Sequence, residues 1–207
     1  EIKLIEWWIL EGAELDKALL EQSLSEDIQR LLKKEYNLDT RDKPWFEKVS
    51  LSPLSQDDFL LFEKHQLSWR TLAAENSLLD VRFQGGTLND ETISVLKKYA
   101  PYITWLNLSE SKVQNKALEA ISNMQNLTRL YLQKNDLSNV KLTILSPLKH
   151  LEILNLHSTK VGIQVFEVAK QLPSLKKLYL WNTAVTNDQI KRQQSLLTNT
   201  ELIGGLD

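Results

Sequence analysis

Apolar residues in the second half of the chain recur in one fixed phase, apolar-x-x-apolar-x-apolar. The copies are Leu78-x-x-Val81-x-Phe83, Ile103-x-x-Leu106-x-Leu108, Leu127-x-x-Leu130-x-Leu132, Leu151-x-x-Leu154-x-Leu156 and Leu175-x-x-Leu178-x-Leu180. The last four stand 24 residues apart, the first stands 25 residues before them, and a degraded copy follows at Leu202 and Gly204. Apolar residues two apart in a short extended run point to the same side, so Leu106 and Leu108 are expected to face inward together. Self-similarity at this period predicts stacked units, none of which buries its apolar face alone.

Three residues past each run comes a small or amide residue, Gly86, Ser111, Asn135, Thr159 or Thr183. Two further on comes an aliphatic one, Leu88, Val113, Leu137, Val161 or Val185. The second half of every unit reads as helix. Asn89 is an expected N-cap, and Thr186-x-x-Gln189 an expected capping box. Leu118, Leu142, Phe166 and Ile190 form one expected buried column, and Met124, Leu148, Leu172 and Leu196 another. Pro101, Pro147 and Pro173 interrupt the chain near the helix ends. On these residues the stretch 78–207 resembles the leucine-rich repeat family, with about five units and a degraded C-terminal one. The resemblance implies an α/β solenoid with a parallel inner sheet and convex helices. The family's asparagine-ladder position is filled mostly by Ser or Thr, whose hydroxyls still bond turn backbone.

Residues 1–77 lack the repeat. Ile2, Ile5, Trp8 and Ile9 fall on one helical face, ending at Gly12. Ser23-x-x-Glu26 reads as a capping box opening a helix to about Tyr36, with Ile28, Leu31 and Leu32 inward. A polar linker, Asn37 to Lys43, precedes Pro44-Trp45, and Ser55 with Asp58 caps a third helix containing Phe59, Leu60 and Phe62. Leu67 to Leu72 and Leu78 to Phe83 read as extended runs around Ala74-Glu75-Asn76-Ser77, the pattern of a hairpin. The stretch 14–77 is thus expected to be a mostly helical N-terminal cap covering the first apolar layer of the solenoid. The segment Ile2-x-x-Ile5-x-x-Trp8-Ile9-x-x-Gly12-Ala13 is similar to the last helix of the planctomycete-type cytochrome c domain. That resemblance implies that residues 1–13 end an upstream domain of a bacterial, membrane-anchored protein of the periplasm or cell envelope. Any haem would then belong upstream, and no cofactor is expected in this chain.

Composition narrows the function classes. The chain has 207 residues, no cysteine and a formal net charge of −2. It therefore holds no disulfide, thiolate nucleophile, Cys-ligated metal site or CxxCH haem attachment. No run reaches the ~18 apolar residues of a spanning helix; the nearest, Leu4 to Leu10, contains Glu6. Residues 1–77 carry 10 basic against 16 acidic side chains, and residues 78–207 carry 15 against 11. This asymmetry is too small to indicate nucleic acid as a partner. His65, His150 and His157 form no metal-binding spacing, Gln84-Gly85-Gly86-Thr87 lacks the Lys-Ser/Thr of a phosphate loop, and no GxSxG occurs. The sequence points away from an enzyme.

The informative surface is the concave sheet face, where positions between the inward residues point outward. It reads Asp80, Arg82, Gln84; Trp105, Asn107, Ser109; Arg129, Tyr131, Gln133; Ile153, Asn155, His157; Lys177, Tyr179, Trp181. Large aromatics interleaved with amides and Arg combine desolvation energy with directional bonds, as recognition surfaces do. The expected function is non-catalytic binding of a protein or peptide through Trp105, Asn107, Arg129, Tyr131, Gln133, Asn155, His157, Lys177, Tyr179 and Trp181. Carbohydrate stacking on the Trp and Tyr rings is an alternative, as is a structural module supporting an upstream cytochrome domain. The sheet edge near Leu202 reads as nearly uncapped, which invites pairing with a second copy.

Overall fold

The computed structural model describes residues 2–13, 24–38, 40, 45–72 and 77–205. They form two compact units, Glu1–Val49 and Ser50–Asp207.

In the first unit, α1 (Ile2–Leu10) packs beside α2 (Glu26–Tyr36). Of the four residues on the apolar face read from the sequence, Trp8 is the half-buried one. Ile2, Ile5 and Ile9 are exposed, whereas Leu4, Trp7 and Trp8 are half-buried. With Leu32, Tyr36 and Leu38 they line a groove of about 430 Å³. Covering the two large indole rings removes more apolar area from water than covering the isoleucines would, which sets the helix rotation. α1 ends on left-handed Gly12 and Ala13, the Ala13 N–H reaching the Trp8 carbonyl at 2.9 Å. α2 begins at Glu26 with Ser25 as its N-cap and closes on left-handed Asn37, with Ile28 and Leu32 buried and Leu31 half-buried. Ser23 of the expected capping box and most of the expected linker lie outside the described residues.

The second unit is an α/β leucine-rich repeat solenoid. Its seven strands lie in chain order: β1 (Leu67–Thr71), β2 (Leu79–Phe83), β3 (Ile103–Asn107), β4 (Arg129–Tyr131), β5 (Ile153–Asn155), β6 (Lys177–Tyr179) and β7 (Glu201–Ile203). β2 to β7 run parallel, and from β3 onward each residue pairs with the one 24 positions later, as in Leu106↔Leu130↔Leu154↔Leu178↔Leu202. The 25-residue first spacing has a structural counterpart. The β2–β3 register shifts between Leu79 and Asp80, which face Ile103 and Trp105, so Thr104 is the extra residue of a bulge.

β1 runs antiparallel to β2, with Trp69 opposite Val81; the connecting residues 73–76 lie outside the described residues. α3 (Gln56–Lys64) and β1 share the repeat core: Phe62 and Leu67 are fully buried in one cluster with Leu79, Val81 and Tyr99. The boundary between the two compact units falls after Val49. Ser55 and Asp58 form the expected capping box. The Asp58 carboxylate also accepts the hydroxyl of Tyr99, the C-cap of the first repeat's helix, tying α3 to that repeat.

The opposite side of the sheet is covered by α4 (Asp90–Lys98), α5 (Asn115–Ile121), α6 (Val165–Gln171) and α7 (Asn187–Gln194). Asn89 caps α4 and Thr186-Gln189 caps α7, as expected. The third repeat departs from the strand-turn-helix scheme with a 3₁₀ turn, Leu142–Leu145. Asp136 there closes a local turn on Ser138. The β-branched Val140, Thr143 and Ile144 and the nearby Pro147 leave little helix-forming sequence.

The column Leu118, Leu142, Phe166 and Ile190 is buried throughout. The second column breaks at its end, where Leu196 is 66% exposed and Leu197 is buried instead. Gln194 causes the slip: its Nε2 donates to the Leu197 and Thr200 carbonyls, and its Oε1 accepts the Leu202 N–H at 2.8 Å. Leu202 is the β7 residue whose N–H points away from β6, because Glu201 donates to the Lys176 carbonyl and Ile203 accepts from Leu180. On the edge expected to be nearly uncapped, the Leu202 N–H is thus taken up by a side chain of the preceding repeat.

Candidate functional site

The sheet register sorts the expected binding residues into three rows across the face opposite the helices. The first runs Arg70, Asp80, Trp105, Arg129, Ile153, Lys177, Glu201. The second runs Ser68, Arg82, Asn107, Tyr131, Asn155, Tyr179, Ile203. The third, two residues further along each chain, contains Ser109, Gln133, His157 and Trp181. Every nominated residue lies on this one face. Arg70, Ser68 and Glu201 join them; the repeat pattern missed the first two because β1 pairs antiparallel and belongs to no repeat.

The first row is a chain of charge and aromatic contacts. Arg70 bonds Asp80 at 2.8 Å, and its guanidinium lies 5.6 Å from the Trp105 centroid. Arg129, from the other side, lies 3.9 Å over the same ring. Lys177 reaches Glu201 at 3.4 Å. Trp105 is thus a half-buried indole already furnished with two cations.

The second row alternates amide and phenol over four successive strands: Asn107, Tyr131, Asn155, Tyr179. Both asparagines face the same way for a local reason. The Asn107 Oδ1 accepts the Ser109 N–H at 3.0 Å and its hydroxyl at 2.6 Å, and the Asn155 Oδ1 accepts the His157 N–H at 3.0 Å. A backbone N–H demands an oxygen opposite it, so each Nδ2 is the free end of the amide. Among the described residues neither Nδ2, nor the hydroxyl of Tyr131 or Tyr179, carries a hydrogen bond, and all four side chains are half-buried.

In the third row, His157 stacks on Trp181 with centroids 4.5 Å apart and planes 14° from parallel. Its Nε2 lies 2.9 Å from the Ser158 hydroxyl, which accepts in turn from the Asn182 amide. The imidazole tautomer sets which of Nε2 and the Ser158 hydroxyl donates, and the contact holds the ring in place in either case. This is the nearest approach to a nucleophile–base pair on the face. Among the described residues no carboxylate completes it, and one ring face is covered by indole. Trp181 is 54% exposed. The Gln133 Oε1 is buried without a donor.

What aims these side chains is the turn that follows each strand. Glu110, Lys134, Ser158 and Asn182 occupy the same repeat position and all are left-handed, with φ between 53° and 58°. Behind them, Asn135 joins two repeats: Nδ2 donates to the Leu108 and Leu132 carbonyls, and Oδ1 accepts from the Ser111 and Val113 N–H groups. Thr159 donates to the Leu156 carbonyl of its own turn, and Thr183 donates to the Leu180 carbonyl while accepting the Val185 N–H, so neither joins two repeats. Among the described residues, no group of three or more His, Asp or Glu side chains is placed to hold a metal ion.

No family model matches the chain, and no curated protein matches it. Among solved structures the chain is similar to a leucine-rich repeat protein of Leptospira interrogans, at 24% identity and a TM-score of 0.43. That alignment covers 58% of this chain and 29% of the other protein, so the chain spans less than a third of the neighbour's length.

Proposed function

We propose that the sheet face opposite the helices is a recognition surface for a protein or peptide partner and performs no catalysis. The observation carrying this reading is the Asn107–Tyr131–Asn155–Tyr179 row: half-buried polar ends, the two amides held by neighbouring backbone, with no bonding partner among the described residues. Such groups lose much of their water where they stand, and a partner's polar atoms regain the bonds. Four strands at ~4.8 Å spacing make the row ~14 Å long, the span of roughly four residues of extended peptide. Sugar stacking is less well supported, because Trp105 already carries Arg129 and Trp181 already carries His157.

Selection from a random peptide library on the wild-type protein tests the proposal. Selected peptides are expected to lose about tenfold or more in affinity for Tyr131→Ala/Tyr179→Ala, the loss of two interface anchors. Peptides that bind the double variant as well as wild type would place recognition elsewhere.

A second reading, that α1 closes an upstream cytochrome-type domain of an envelope protein, draws on one observation. Ile2 and Ile9 of α1 are 74% and 59% exposed, an apolar face of the kind a helix keeps when its packing partner lies outside the chain. A CxxCH motif encoded upstream of Glu1 is the expected result, and its absence would remove this reading.

A further inference from the structure

We infer that the preferred partner segment is an extended acidic peptide, seated with carboxylates at Arg82 and Arg129. The inference rests on the sheet face being the recognition surface and adds its chemistry. Among the described residues the first two rows present four cations, Arg70, Arg82, Arg129 and Lys177, against two carboxylates, Asp80 and Glu201. Both carboxylates are engaged, by Arg70 at 2.8 Å and by Lys177 at 3.4 Å. Arg82 and Arg129 have no carboxylate partner among the described residues, and they flank β3 from its two sides.

The neutral groups of the second row have the same bias. The amide oxygens of Asn107 and Asn155 are consumed by the turns at Ser109 and His157. What they offer a ligand is N–H, and the tyrosines add O–H. The face is therefore rich in donors and carries excess positive charge, which complements carboxylates and peptide carbonyls and disfavours a basic segment. Arg129 is also preorganised, its guanidinium carbon 3.9 Å from the Trp105 centroid, so little side-chain freedom is lost when a carboxylate docks on it. At the β1 end, a cavity of about 380 Å³ lined by Gln66, Ser68 and Gln84 contains Glu63. That end repels an acidic residue, which places the ligand's charges toward β2–β4.

Fluorescence anisotropy with fluorescein-labelled hexaglutamate, hexaglutamine, hexalysine and a heparin hexasaccharide tests this on the whole chain. Hexaglutamate is expected to bind about tenfold or more tighter than hexaglutamine and to weaken as salt is raised, as screened charge pairs do. Arg82→Gln/Arg129→Gln, checked by circular dichroism, should erase the preference for hexaglutamate. Arg82→Gln alone, at an exposed side chain, should reduce it whatever happens to Trp105 packing. Equal binding of hexaglutamine, tighter binding of hexalysine or of the heparin fragment, or no binding of hexaglutamate at low salt would each overturn the inference. If hexaglutamine binds equally and is lost in Tyr131→Ala/Tyr179→Ala, the acidic preference falls and the recognition face stands. Binding indifferent to both pairs of substitutions would overturn both.

Discussion

The Arg129 guanidinium lies 3.9 Å from the centroid of the Trp105 ring, one strand away on the same sheet face. This contact explains how an indole stays half-buried in the middle of an open sheet: the guanidinium itself covers a ring face that would otherwise meet water. Arg129→Ala is expected to cost about 0.5–1 kcal/mol in urea denaturation, the range for a cation–π contact near solvent. It should also change the tryptophan emission on exposing Trp105. A variant with unchanged stability and emission would mean that the stack does not persist in solution.

Asn135 and Thr159 occupy the same repeat position with unequal consequences. Asn135→Ala orphans the carbonyls of Leu108 and Leu132 and the N–H groups of Ser111 and Val113, all in a buried turn. Its expected cost is about 3–5 kcal/mol, whereas Thr159→Ala, which loses one bond to the Leu156 carbonyl, should cost about 1 kcal/mol. Chemical denaturation of the two variants checks the contrast, and equal losses would contradict the inter-repeat role of Asn135.

The last repeat provides a register test. Leu197→Ala should cost about 2–4 kcal/mol, the usual loss for a buried leucine. Leu196→Ala, at a side chain 66% exposed, should stay within about 0.5 kcal/mol. The reverse order would restore the periodic column that Gln194 interrupts.

Acid sensitivity follows from two aspartates. Bonds from Tyr99 and Ser55 hold the Asp58 carboxyl at about 2, below the ordinary 3.8, and bonds from Lys160 and Ser138 do the same for Asp136. A folded-state pKa below the unfolded one stabilises the protein above the unfolded value, and the stabilisation is lost as pH falls from 3.8 to about 2. Thermal melts should therefore decline through that window, and Asp58→Asn should flatten the decline. An unchanged slope in Asp58→Asn would rule out Asp58 as a source.

The repeat was legible because period-two burial and a 24-residue phase act on the same residues: Leu106, Leu130, Leu154 and Leu178 are each essentially inaccessible to water. The outward residues followed by alternation, so all ten nominated side chains lie on one face. Other features required three-dimensional neighbours. The membership of α3 and β1 in the repeat body depends on Phe62 meeting Tyr99, with ring centroids 4.7 Å apart and 37 positions between them in sequence. Which residues of α1 are covered was not legible, because Ile and Trp count alike as apolar in a periodicity. The Leu197 slip and the bond on the Leu202 N–H at the β7 edge both involve one polar side chain, Gln194, to which hydrophobic patterning is blind. The orientation of Asn107 and Asn155, on which the donor-rich character of the face depends, is a matter of bonds to backbone two residues away.

The most direct test of the recognition face is a ¹⁵N NMR titration of the wild-type protein with a library-selected peptide, following the side-chain amides of Asn107 and Asn155. These signals and the backbone amides of β3 to β6 are predicted to shift together and to saturate at one peptide per chain. Saturable binding that leaves both asparagine amides unmoved while signals of the helices or of α1 shift would contradict the account.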